Sequence, residues 1–127
     1  IHAVDYGCPY AEFSLKGTVV DEKDTPIEGI RVAVEVWNVD GKDIRKMYND
    51  TLYTDAEGKV SFMPSHDYFF YPPDSVSVAM EDVDGEDNGG DFKSQIISPE
   101  VVQIEKGDGI WFEGRYESSF NAKLQKK

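Results

Sequence analysis

Apolar residues alternate with polar ones over much of the chain. The cleanest stretch is Ile30-Arg31-Val32-Ala33-Val34-Glu35-Val36-Trp37, where Ile30, Val32, Val34 and Val36 share one parity. A strand of that pattern packs one face on a core and leaves Arg31, Glu35 and Trp37 on the other. Phe13, Leu15 and Val19 alternate in the same way until Asp21-Glu22-Lys23-Asp24 and Pro26, residues that turn the chain and end a strand. Asn38-Val39-Asp40-Gly41 holds an Asp-Gly pair, which supplies a positive φ at low cost and so reverses the chain. Met47 to Thr54 reads as the next strand. Asp55-Ala56-Glu57-Gly58 is then a turn before Lys59 to Met63, where Val60 and Phe62 hold the core parity. Pro64, Pro72 and Pro73 confine Tyr68-Phe69-Phe70-Tyr71 to a short aromatic strand or crossing segment. Further strands are predicted over Ser75 to Val83, Phe92 to Ile97, Val101 to Glu105 and Ser118 to Leu124, the last with Phe120, Ala122 and Leu124 on one face.

No segment carries sustained helical periodicity behind a capping residue, so little helix is expected. Seven or eight short strands separated by Gly, Pro and Asp turns predict an all-β fold, a two-sheet antiparallel β-sandwich. The expected division is an irregular N-terminal arm over 1–11 and one sandwich domain over 12–127. A length of 127 residues with 39% hydrophobic side chains is enough for one core without covalent staples. Charge narrows the partners: 13 Lys and Arg against 25 Asp and Glu leave a net −12, which opposes nucleic acid and anionic lipid. No apolar run approaches the roughly 18 to 20 residues of a membrane helix.

Three features carry candidate chemistry. Asp82, Asp84, Glu86, Asp87, Asn88 and Asp91 offer hard oxygen ligands, and Gly85, Gly89 and Gly90 let the backbone fold tightly, so calcium is the candidate ion. The spacing is not that of an EF-hand, because in a loop with Asp82 as position one, position six is Asp87 rather than Gly and position twelve is Lys93 rather than Glu. A solvated hairpin loop with Asn-Gly turn chemistry accounts for the same residues. Trp37, on the polar face of its strand, and Trp111 are candidates for stacking a glycan or a peptide; rings that cap the ends of a sandwich would look alike. Cys8, between Gly7 and Pro9, is a candidate modification site, although no Lys, Arg or His adjoins it to lower its pKa. As the sole cysteine it forms no internal disulfide and reports nothing on redox compartment.

Gly17-Thr18-Val19-Val20-Asp21, Pro26-Ile27-Glu28-Gly29-Ile30-Arg31-Val32 and Thr54-Asp55-Ala56-Glu57-Gly58-Lys59-Val60 resemble the prealbumin-like sandwich of carboxypeptidase regulatory-like domains. That motif specifies a fold and no chemistry. Three further stretches extend the resemblance across nearly the whole chain. They are Tyr6-Gly7-Cys8-Pro9-Tyr10-Ala11, the run Asp82-Val83-Asp84-Gly85-Glu86-Asp87-Asn88-Gly89-Gly90-Asp91-Phe92, and Trp111-Phe112-Glu113-Gly114 before a Lys-rich end. Together they resemble the radical-SAM-associated lipoproteins of Bacteroidetes. The resemblance implies an exported cell-envelope protein, in the periplasm or on the outer-membrane surface, held to the membrane by a lipid anchor alone. It also implies a radical-SAM enzyme as modifying partner, and no residue of established function to carry over. Asp5 and Tyr6 fit a lipidated Cys8 badly, so the anchor is expected before Ile1.

Enzyme chemistry is not expected. Transthyretin-like folds include hydroxyisourate hydrolases, whose sites use several His and Arg, whereas this chain has only His2 and His66. Pilin-type sandwiches crosslink a first-strand Lys to a last-strand Asn, but the parity that turns Phe13, Leu15, Phe120 and Ala122 inward turns Lys16 and Asn121 outward.

Overall fold

The computed structural model describes residues 9–63, 68–69 and 71–127. In them the chain forms strands β1 (Tyr10–Val20), β2 (Ile30–Asp40), β3 (Asp43–Tyr53), β4 (Lys59–Phe62), β5 (Tyr68–Phe69), β6 (Ser75–Asp82), β7 (Gln95–Ile97), β8 (Val102–Glu105) and β9 (Phe112–Lys123). Two sheets result. The first runs β4-β1-β9-β8, with β5 added along the same strand β1; the second runs β3-β2-β6-β7. The all-β sandwich expected from the alternation is the observed architecture.

One pairing departs from the antiparallel expectation: β1 and β9 run parallel, from Tyr10 opposite Phe112 to Val20 opposite Lys123. Alternation is indifferent to strand direction, so nothing in either segment announces it. The sandwich also starts earlier than expected. Tyr10 and Ala11, assigned to an arm over 1–11, pair with Phe112 and Phe69 inside the first sheet. Strand lengths shift for local reasons. Gly41-Lys42 forms a two-residue hairpin between Asp40 and Asp43, with Gly41 at φ 61, so β3 is longer than Met47 to Thr54. Phe92 meets Lys126 in an isolated bridge rather than opening a strand that reaches Ile97.

The core lies between the sheets. Phe13, Leu15 and Val19 of β1 and Phe120 and Ala122 of β9 face Val32, Val34 and Val36 of β2 and Val76, Val78 and Met80 of β6. Gly17 holds an inward position without a side chain because the Phe120 ring occupies that space; a Cβ there would lie 2.1 Å from it. Among the described residues the buried side chains of Thr54, Ser118 and Asn38 have partners, whereas the enclosed Glu113 Oε2 has none. The Thr54 hydroxyl donates to the Ile27 carbonyl at 2.7 Å and accepts from the Ile30 amide at 2.9 Å, and Ser118 donates to the Glu100 carbonyl at 2.8 Å. Buried Asn38 donates to the Pro72 carbonyl and to Asp74, tying the segment before β6 to the β2–β3 hairpin.

Candidate functional site

The acidic loop leaves β6 at Asp82 and returns to the core at Phe92. Asp82 staples it at both ends: Oδ1 accepts from the Asp84 amide at 3.1 Å and Oδ2 from the Phe92 amide at 3.0 Å. Asp84 Oδ2 accepts from the Asn88 side-chain amide at 2.7 Å and lies over Gly29 at the entrance to β2. Asp91 turns the other way, with its Oδ1 3.6 Å from Lys127 Nζ. Glu86 and Asp87 are exposed. Of the six residues with ligand chemistry, then, the loop brings together Asp82, Asp84 and Asn88 and disperses the other three. Among the described residues no three His, Cys, Asp or Glu side chains form a group able to hold a metal ion.

Burial pushes the Asp82 carboxyl above the ordinary value of 3.8, and its contact with Asp84 adds to the rise; the Phe92 and Asp84 amides pull the other way. The folded state therefore holds this proton more tightly than the unfolded state. Asp82 adds stability as pH falls through the window between the two values, and that increment disappears as pH rises through it. Half-buried Asp21 and exposed Asp108 are shifted downward, chiefly by the Thr25 and Ile110 amides respectively. A carboxyl-detected NMR titration is expected to place Asp82 above 3.8 and Asp21 and Asp108 below it. An Asp82 midpoint at or below that of the other two would mean that its carboxyl is not enclosed.

Trp37 and Trp111 stand apart in the topology. Trp37 is half-buried on the outer face of the second sheet, with Lys46 Nζ 5.4 Å from its ring centroid and the same ammonium paired to Glu35 at 2.7 Å. Trp111 precedes β9 of the first sheet, where its amide donates to Asp108 and its carbonyl accepts from Tyr10. The Trp37 ring is covered in part by Lys46, and only Trp111 counts among the exposed large apolar side chains. Cys8 and His66 lie outside the described residues.

A different surface gathers more chemistry. On the outer face of the first sheet, Lys16 of β1 lies opposite Ser61 of β4 on one side and Ser119 of β9 on the other; Thr18 lies likewise between Lys59 and Asn121. These six side chains form two rows across three strands, a patch of roughly 10 Å by 7 Å from ordinary strand spacings. They line an open hollow of about 530 Å³, with Asp55 on its rim. Farther along the same face a second hollow of about 310 Å³ lies between Met63 and Ile104, beside the Glu12–Arg115 ion pair of 2.9 Å. Outward parity was readable for Lys16 and Asn121. That Lys16, Thr18, Lys59, Ser61, Ser119 and Asn121 share one patch was not, because it depends on the parallel β1–β9 register.

Neither a family model nor a curated protein matches this chain. Solved structures do. Catechol 1,2-dioxygenase from Acinetobacter radioresistens aligns at 14% identity and a TM-score of 0.55, over 98% of this chain and 54% of that one. Catechol 1,2-dioxygenase from Pseudomonas arvilla C-1 aligns at 15% identity and 0.54, over 93% of this chain and 53% of that one. 3-Chlorocatechol 1,2-dioxygenase from Rhodococcus opacus 1CP aligns at 14% and 0.51, over 91% and 60%. The chain thus spans a little over half the length of these proteins, and at such identities the likeness is one of fold.

Proposed function

We propose that this chain is a non-catalytic binding domain of an exported cell-envelope lipoprotein, working with a radical-SAM enzyme that modifies or accompanies it. The observation that supports a binding role is the outer face of the first sheet. Its two hollows lie side by side on rigid strands, lined by hydroxyl, amide and charged groups with Met63 and Ile104 at one end. Envelope location and the radical-SAM partner rest on the resemblance of the Cys8 segment, the acidic run and the Trp111 segment. Calcium at the acidic loop belongs to the same proposal, with the ion drawing Asp84 from Asn88 and Asp91 from Lys127.

One experiment tests the binding role and the ion. Backbone amide shifts of the labelled protein are followed while neutral saccharides, acidic saccharides, short peptides, calcium chloride and magnesium chloride are added in turn. Saturable shifts confined to β1, β4, β8 and β9 with at least one organic compound are expected, together with a calcium-specific change over 84–91. An outer face unmoved by the whole panel would overturn the binding role. Equal responses to calcium and magnesium would reduce the loop to charge screening.

A further inference from the structure

Resting on the binding role proposed above, we infer that the hollow around Lys16 and Lys59 takes a short saccharide bearing a carboxylate, such as a uronic acid unit. The register puts two ammonium groups on one patch, Lys16 in the row Ser61–Lys16–Ser119 and Lys59 diagonally beside it in the row Lys59–Thr18–Asn121. Neither ammonium has an ion-pair partner among the described residues, in contrast to Lys46, Lys123 and Lys127. A chain of net charge −12 repels anions at long range, so two unpaired cations on a single concave patch form a local exception.

The rest of the lining selects among anions. Thr18, Ser61 and Ser119 each offer a hydroxyl that both donates and accepts, and Asn121 offers an amide that does the same, which suits a polyol and not a bare ion. Asp55 spends Oδ1 on the amides of Glu57 and Lys59, and Oδ2 has no partner among the described residues. A carboxylate on the rim accepts from sugar hydroxyls and repels a dense dianion such as phosphate. Neither row holds an aromatic residue, and Phe120, which also borders the hollow, is buried with its ring packed against Gly17, so a neutral sugar has no exposed ring to stack on. Charge therefore decides the ligand, and the hydroxyls orient it. A volume of about 530 Å³ accommodates a short oligosaccharide and is open enough for a chain to pass through.

The test is a titration with digalacturonate against galactose, sodium acetate and inorganic phosphate, read by amide shifts and repeated on a Lys16→Ala, Lys59→Ala variant. Both lysines are exposed, so the variant keeps the fold, and unchanged shifts in β2 and β6 verify that. Saturable shifts at Lys16, Thr18, Ser61, Ser119 and Asn121 are expected with digalacturonate alone, weakened by about tenfold or more in the variant. Equal binding of galactose, or equal shifts with acetate or phosphate, would overturn the inference. So would a variant that binds as well as the parent. If neutral saccharides or peptides move this face and digalacturonate does not, the ligand class fails and the binding role stands; if nothing moves it, the binding role itself fails.

Discussion

Gly58→Ala is expected to unfold roughly 10 to 15 degrees below the parent, through a loss of about 3 to 4 kcal/mol. Two terms add. Gly58 sits at φ 71, where a side chain meets the left-handed penalty of about 1 to 2 kcal/mol. Its Cβ would also lie 2.4 Å from the Val19 carbonyl oxygen, backbone of β1 that cannot swing aside, and 3.2 Å from the Ile27 amide. Relief means separating the 55–59 turn from β1, which breaks the Val19 amide's 2.7 Å bond to the Gly58 carbonyl. Gly41 separates the two terms: its φ is 61, yet nothing lies within 4 Å of its added Cβ. Gly41→Ala should therefore lose only the conformational part, about 1 to 2 kcal/mol. Thermal melts of the two variants measure the difference. Equal losses would mean that the turn does not press on β1 as described.

Phe92→Ala should cost about 3 to 5 kcal/mol, in the range for truncating a buried aromatic ring, and lower the midpoint by roughly 10 to 20 degrees. Phe92 is only 1% exposed, although it follows the most acidic stretch of the chain. Its burial pins the point where that loop rejoins the sandwich. The Phe92 amide bonds Asp82, the Lys93 amide bonds the Gln125 carbonyl at 2.8 Å, and the Lys127 amide bonds the Asp91 carbonyl at 3.0 Å. Without the ring, these three bonds tie the loop to nothing in the core. Hydrogen exchange at Phe92, Lys93 and Lys127 is expected to accelerate more than exchange at β2. A melt within a degree or two of the parent would show that Phe92 is not part of the core.

The alternation of Ile30, Val32, Val34 and Val36, and of Phe120, Ala122 and Leu124, was legible because each strand has one wet face and one dry one. The turns at Asp21, Asp55 and Gly41 were legible for a different reason. Their chemistry is local: an Asp55 carboxylate taking the amides of Glu57 and Lys59 needs only its own neighbours. The Asp82 staple was half-legible, since the carboxylates are plain in the sequence but their division among Asn88, Lys127 and solvent depends on where the residues after β9 and Gly29 lie against the loop. The knot of Asn38, Pro72 and Asp74 left no sequence signal, because it joins residues more than thirty positions apart.

Period-two patterning acts through burial, residue by residue, and it settled the all-β class, the inward set and the outward turn of Lys16 and Asn121. Strand order, direction and register are decided by which faces cover one another, a property of the whole chain at once. Only that closure laid β9 parallel to β1 and set Lys16 between Ser61 and Ser119. The side chains of the candidate site are surface residues with no hydrophobic signal of their own. Their grouping follows from a core on the opposite side of the same sheet.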